Sequence, residues 1–234
     1  MKLHVTIPVL NEANVLEASI GTLSRFFSDR LDFADWEIGI ADNGSDDGTE
    51  AIAARLATAV PRVRYIRLEE RGRGRALKRA WLSTDADVYA YMDADLSTGL
   101  EAFPALIDLV AGGRCDVAYG SRLDAASDTT RGLMREWLSQ GYNAILRAAT
   151  GIRVSDAQCG FKAVSRRVVT DVVPEIENNG WFFDTELLVL AERRGYRTAA
   201  VPVTWKERRP SHVRLARTIL EDLAGLWRLR RTTR

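Results

Sequence analysis

Two carboxylates one residue apart, Asp93 and Asp95, close an apolar run from Val88 to Met92. Such a run reads as a buried strand, and acidic residues at its C-terminal edge stand where open α/β sheets bind their ligands. Two hard oxygen donors at this spacing can hold Mg²⁺ or Mn²⁺ and leave coordination positions for a diphosphate. The metal would then offset charge growing on a departing nucleotide. Asp-x-Asp by itself also occurs as a pair of solvated loop residues, so its meaning depends on what accompanies it. A basic, glycine-rich turn, Arg71-Gly72-Arg73-Gly74-Arg75, opens a helix and offers backbone N–H groups and guanidinium charge to a diphosphate. Leu77 stands where a Gly-x-Gly-x-x-Gly fingerprint needs its third glycine, which disfavours a nicotinamide enzyme. The absence of a Gly-Lys-Ser/Thr loop excludes an ordinary P-loop NTPase.

The elements that must position these groups alternate regularly in the first half. Leu3 to Val9 is a short β-branched strand broken by Pro8, and Val15, Leu16, Ile20, Leu23 and Phe27 recur at helical spacing. A second strand, Trp36 to Ala41, runs into the turn-rich stretch Asp42-Asn43-Gly44-Ser45-Asp46-Asp47-Gly48-Thr49, which can cap a helix over 51–59. Val63 to Leu68 is a third strand, a helix runs through Trp81, and Val88 to Met92 is the fourth strand. Strands alternating with helices predict a mainly parallel, twisted sheet flanked by helices, with right-handed crossovers. Then come a helix over 100–110, a strand over 116–121, a long helix over 131–149 stopped by Gly151, and a loop over 156–162. A helix over 184–194, a strand over 198–205 and a final helix from about Val213 complete the chain.

With 234 residues, 46% hydrophobic and 28% charged, the composition is that of one ordinary globular domain. A formal charge of +1 argues against a nucleic-acid partner, although basic residues cluster over 71–79 and 228–234. Two cysteines, Cys115 and Cys159, make no disulfide framework and suit a reducing, cytosolic setting. The first residues run into a strand rather than a signal-peptide core, and no stretch approaches the roughly 18 apolar residues of a membrane span. The expectation is a protein that is soluble or peripheral to a membrane.

Taken in order, Ile7-Pro8-Val9-Leu10-Asn11-Glu12, the Asp42 to Thr49 stretch, Arg71-Gly72-Arg73-Gly74 and Asp93-Ala94-Asp95 resemble a family 2 glycosyltransferase. The resemblance covers nearly the whole chain and implies a single α/β GT-A (Rossmann-like) domain over 1–234. Residues 1–121 would form the nucleotide-sugar half, 122–212 the acceptor half and 213–234 an amphipathic basic helix. Gly120-Ser121-Arg122, the Arg135/Ser139/Asn143 helix face, Asp156-Ala157-Gln158-Cys159-Gly160-Phe161-Lys162 and Phe183-Asp184-Thr185-Glu186 look like the dolichyl-phosphate mannose or glucose synthase branch. The Gln-x-x-Arg-Trp motif of processive polysaccharide synthases is absent.

The resemblance implies roles. Pro8, Asn11 and Glu12 line the nucleoside pocket, Asp42 contacts base or ribose, and Gly72, Arg73 and Ala94 lie along the donor. Asn43 stands where many family members carry a second Asp. Asp93 and Asp95 hold Mg²⁺ or Mn²⁺, with Ser97 near a third ligand position. Arg122, Arg135 and Ser139 clamp the acceptor phosphate, Asp156, Gln158 and Asp184 surround sugar and acceptor, and His212 replaces a common Lys. The implied reaction transfers mannose or glucose from GDP-mannose or UDP-glucose to a polyprenyl phosphate with inversion. An ionised phosphate needs no strong base; Asp184 would serve as one if the acceptor were a hydroxyl. Glu186 reads as a first-turn carboxylate favoured by the helix dipole. The final helix carries Leu215, Ile219, Leu223, Leu226 and Trp227 with arginines around them. It suits either packing on its own domain or an anionic membrane surface at the cytoplasmic face, with a membrane-anchoring partner protein possible. A family 2 enzyme with a hydroxyl acceptor and a non-catalytic nucleotide-sugar-binding module are the alternatives.

Overall fold

The computed structural model describes residues 1–31, 35–130, 133–206 and 215–231, without the side chains of residues 130, 133–136, 138, 215–220 and 231. Elements run β1 (Lys2–Val9), α1 (Leu16–Arg30), β2 (Asp35–Asp42), α2 (Thr49–Ala59), β3 (Val63–Arg67), α3 (Arg73–Leu82) and β4 (Val88–Met92). They continue through α4 (Phe103–Ala111), β5 (Val117–Ser121), β6 (Thr129–Thr130), α5 (Leu133–Thr150), β7 (Phe161–Ser165) and α6 (Arg166–Asp171). The chain then forms α7 (Phe183–Arg193), β8 (Thr198–Pro202), β9 (Trp205–Lys206) and α8 (Leu215–Arg231).

Seven strands form one sheet in the order β3-β2-β1-β4-β7-β5-β8, and β6 pairs with β9 in a small second sheet. β1 through β4 are mutually parallel, and β5 and β8 pair in parallel. β7 runs antiparallel to both β4 and β5. The expectation of a mainly parallel α/β sheet is met, but the 156–162 loop read from sequence ends at Phe161, where β7 begins. β7 hides because Lys162, a residue type usually counted as solvent-facing, interrupts its apolar run and is itself buried. Its insertion puts a strand of the second half between two strands of the first. The single strand expected over 198–205 divides into β8 and β9.

The sheet is packed on both faces, as parallel strands require. On one face α1 places Leu16, Ile20, Leu23 and Phe27 inward at helical spacing, as the sequence predicts. Phe27 meets Trp36 of β2 at 5.6 Å and Phe103 of α4 at 5.0 Å between ring centroids. On the other face Leu77 and Trp81 of α3 join Phe183, Leu187 and Leu188 of α7.

α5 departs from simple amphipathic logic. Its polar residues Ser139 and Asn143 are buried with Leu146, whereas Trp137 is 75% and Ile145 56% exposed. Ser139 and Asn143, two of the three polar residues that sequence spacing aligns, therefore point inward. Truncating Phe27 to Ala should remove about 3–5 kcal/mol of stability through the cavity left among Trp36 and Phe103. Urea unfolding of the variant would show this as a lower midpoint at unchanged slope.

Candidate active site

The carboxyl ends of β1, β2 and β4 meet at one edge of the sheet, and the loops leaving them are laced together. Asn11 donates its backbone N–H to Ser45 Oγ at 3.0 Å and accepts from the Asp46 amide through Oδ1 at 2.9 Å. The Glu12 amide donates to Thr49 Oγ1 at 2.9 Å. Pro8 lies half-buried in register with Ala41. Asp42, expected against base or ribose, is 0% exposed. Its carboxylate accepts from the Ser45 amide at 2.9 Å and Tyr65 Oη at 3.1 Å, with Arg67 Nη1 at 3.5 Å. These bonds hold it in the floor of this edge. Asn43 is likewise internal, accepting the Gly72 amide through Oδ1.

The Arg71–Arg75 turn corrects a second expectation. Three of its amides are bonded within the protein: besides Gly72, Gly74 donates to Gly180 O at 3.2 Å and Arg75 to Asn179 O at 3.1 Å. A Cβ on Gly74 would lie 2.7 Å from Phe183 Cβ and 2.9 Å from Asn178 O, so only glycine permits this approach. What the turn delivers is Arg73. Its buried guanidinium bridges Asp93 Oδ1 at 2.7 Å and Asp184 Oδ2 at 2.5 Å. Trp181, half exposed, lies over the same guanidinium at 5.1 Å, and Tyr91 stands at 4.9 Å.

Asp93 remains 44% exposed at its side chain, and Gly160 makes room for it: a Cβ there would sit 2.0 Å from Asp93 Oδ2. Ala94 turns its methyl into the core. Asp95 accepts from the Ser97 amide at 2.9 Å and from Ser97 Oγ at 2.6 Å. Ser97, expected near a third ligand position, spends its hydroxyl proton orienting Asp95. Among the described residues no cluster of three or more acidic, His or Cys side chains forms a closed metal cage. Two carboxylates with lone pairs to spare and no third acidic ligand fit an ion such as Mg²⁺, which keeps positions for substrate phosphates and water.

Asp184, in the first turn of α7, is buried against Arg73, Tyr91 Oη and Lys162 Nζ, the last at 3.0 Å. Burial pushes its pKa up to about 6 against the pull of Arg73. Arg122 and Asp156, expected as separate ligands, form a bidentate pair at 2.7 and 2.8 Å, with Asp156 fully buried. Burial alone would raise the Asp156 carboxyl, but Arg122 holds it below its ordinary value. Ser139 Oγ is buried with no hydrogen-bond partner among the described residues. Asn143 Oδ1 accepts the Ala157 amide at 2.9 Å, tying α5 to the loop that carries Asp156 and Gln158. The Arg135 side chain and all of His212 lie outside the described residues.

Glu186 is more than a helix-dipole partner. It is buried, accepts the Asn178 amide at 2.9 Å and the Glu177 amide at 3.2 Å, and pairs with Arg228 of α8 at 2.8 Å. Three further groups at this edge carry no role in the sequence reading: Tyr91, Lys162 and Asp222. Lys162 had a signal, a lone cation inside the run Phe161 to Val164. Asp222 of α8 accepts from Gln158 Nε2 at 3.3 Å.

The chain belongs to glycosyl transferase family 2, whose family model matches residues 4–173, and its fold is the GT-A fold. Glycosyltransferase AglD of Haloferax volcanii is 36% identical over 223 residues, which cover 94% of this chain and 35% of that protein. The chain thus spans about a third of AglD's length. Dolichyl-phosphate beta-glucosyltransferase of Saccharomyces cerevisiae is 28% identical, over 92% of this chain and 70% of the yeast protein. Among solved structures, glucosyl-3-phosphoglycerate synthase from Mycobacterium tuberculosis in complex with uridine-diphosphate superposes with a TM-score of 0.75 at 23% identity. That alignment covers 97% of this chain and 79% of the other.

Burial first, and the neighbouring Glu221 second, push the Asp222 pKa up to about 7 from an ordinary 3.8. Between those values the native state binds this proton more tightly than the unfolded chain, so Asp222 costs stability as pH rises towards 7. Asp222→Asn removes that cost. Its melting temperature relative to the parent should rise from about pH 4 to about pH 7 and then level off, measured by thermal circular dichroism across that range.

Proposed function

We propose that the protein transfers a hexose, glucose or mannose, from a nucleotide sugar to a polyprenyl phosphate, with inversion at the anomeric carbon. The observation that carries this is the row Asp93–Arg73–Asp184 at the carboxyl edge of the sheet, flanked by the Arg122–Asp156 pair and by Ser139, whose buried hydroxyl has no partner among the described residues. The names of the yeast relative and of further relatives, dolichyl-phosphate beta-glucosyltransferases, support the lipid-phosphate acceptor and favour glucose. Asp93 and Asp95 would hold Mg²⁺ or Mn²⁺, which supplies positive charge for a leaving diphosphate; the mycobacterial synthase has been solved with Mn²⁺ and uridine-diphosphate.

The chain's own residues do the rest by placement and electrostatics. Ser97 fixes the rotamer of Asp95. Arg73, locked between two carboxylates, keeps positive charge beside the donor without being free to leave. Pro8, Asn11 and Glu12 border the nucleoside end. Asp156 orients Arg122, whose remaining N–H groups, with Ser139 and Arg135, would meet the acceptor phosphate. A phosphate oxygen that is already ionised attacks without a base, and Asp184 then serves as the counter-charge that holds Arg73. The second reading, a hydroxyl acceptor, is favoured by one observation: a buried Asp184 raised to about 6 is poised to take a proton near neutrality.

A polyprenyl acceptor requires work at a membrane, and the inverted α5 supports that. Trp137 and Ile145 of α5 and Leu223 and Trp227 of α8 face outward, on helices that contact each other. Such aromatics suit the headgroup region. Among the described residues no helix is long and apolar enough to cross a membrane. A peripheral position on the cytoplasmic face, with or without an anchoring protein, follows from this reading.

The test incubates the protein and Mn²⁺ with labelled UDP-glucose or GDP-mannose, with and without a short polyprenyl phosphate, and counts label in the lipid phase. Lipid label should require the polyprenyl phosphate, appear with UDP-glucose and vanish in Asp95→Ala. Transfer to a water-soluble hydroxyl acceptor that collapses in Asp184→Asn would replace this reading with the second.

A further inference from the structure

Lys162 is the only fully buried lysine among the described residues, and no role follows for it from the donor or the acceptor chemistry. It sits on β7 in register with Tyr91 of β4. Its ammonium reaches four oxygens from three parts of the chain: Cys159 O at 2.6 Å, Ala157 O at 3.0 Å, Asp184 Oδ1 at 3.0 Å and Tyr91 Oη at 3.2 Å. Tyr91 in turn donates its hydroxyl to the same Asp184 oxygen. Burying an ammonium is costly, and an apolar side chain opposite Tyr91 would fill a strand position at less expense. The lysine's contribution is connection. It holds the two carbonyls that flank Gln158 and, with the same group, the carboxylate that anchors Arg73.

We propose that Lys162 is a positioning residue for sugar transfer. It locks Asp184 on α7 to the loop over 156–160, so that the donor-side row Asp93–Arg73–Asp184 and the acceptor-side residues Asp156 and Gln158 keep one fixed separation. The structure gives this lock few alternatives. Gly160 presses on Asp93, Asn143 grips the Ala157 amide from α5, and Arg122 grips Asp156; Lys162 closes the ring from beneath. The charged and titratable groups facing Asp184 are Arg73 from α3, Tyr91 from β4 and Lys162 from β7. Those nearest Lys162 are Asp184, Tyr91, Cys159, Asp156, Arg122 and Arg73. Burial is the largest cause that brings the Lys162 pKa down to about 7; the nearby Arg73 and Arg122 lower it further, while Cys159 and Asp156 pull it up.

The kinetic part of the proposal rests on the transferase reading; the structural part does not, and the experiment separates them. Hydrogen exchange of the ligand-free protein is followed at the bonded amides of Ala157 and Phe161 in the parent and in Lys162→Met. Lys162→Gln, which keeps a donor for the carbonyls without the charge, is run in parallel and stands in if the Met variant does not fold. Exchange should be about tenfold faster or more in Lys162→Met, with the rest of the sheet unchanged. In transfer assays kcat should fall about 10–100-fold with KM little changed, as for residues that orient a reacting group. Removing a cation disfavours the ionised carboxylate, so the acid limb of the rate profile should move up by about one pH unit or more in both variants. In an Asp184→Asn background the loss from Lys162→Met should shrink, since the two act as a unit. Unchanged exchange in a folded variant overturns the proposal whether or not the parent shows transfer. Faster exchange with parental kcat and acid limb overturns the positioning role. Absence of lipid label in the parent, with faster exchange in the variants, would overturn the transferase reading and leave the lock standing.

Discussion

A guanidinium held between two carboxylates organises this protein. Arg73 reaches Asp93 at the end of β4 with one arm and Asp184 at the start of α7 with the other. A charge this deeply buried is tolerable only because both partners are fixed, and each is fixed by something that cannot be moved cheaply. Asp93 leans on a glycine. Asp184 sits against Tyr91 and Lys162. The approach of α3 to the 178–183 segment, which brings Arg73 into place, needs Gly74 because a side chain there would collide with Phe183 and Asn178.

From that bridge the two sides of the site follow. On one side, the turn after β2 and the turn after β1 are stitched by side chain to backbone bonds, with Asp42 beneath them accepting from the Ser45 amide. On the other side, Arg122 and Asp156 neutralise one another, and α5 turns Ser139 and Asn143 inward, the latter holding the loop that carries Asp156. The cost of that inversion is a set of large apolar side chains facing out. Large apolar side chains left facing outward in this way mark an interaction surface.

The C-terminal helix belongs to the same arrangement. Arg228 reaches Glu186, which fixes the segment before Asp184, and Asp222 reaches Gln158. α8 therefore ties to Glu186 in the first turn of α7 and to the loop that carries Gln158.

The sequence by itself determined the sheet's first four strands, the alternation that makes them parallel, the position of Asp93 and Asp95 at a strand end, and membership of the family. These are local properties: periodicity, turn chemistry and motif order are written in neighbouring residues. It also marked Asp184, Asp156, Arg122 and Ser139 as worth attention. Only the tertiary structure decided what those groups do. β7 escaped notice because its central lysine is buried through contacts with residues as distant in sequence as Tyr91, and no window of neighbours can show that. Arg73 reads as a phosphate ligand until it is found between two carboxylates, one of them 111 positions away. Arg122 and Asp156 read as two independent groups until their side chains are seen to pair. Asp42 reads as a base or ribose contact from sequence, and only the fold shows it bonded to the Ser45 amide and Tyr65. In each case the residue type was legible but its partner was not, because a charge in a folded protein is defined by what neutralises it, and that pairing is made across the fold.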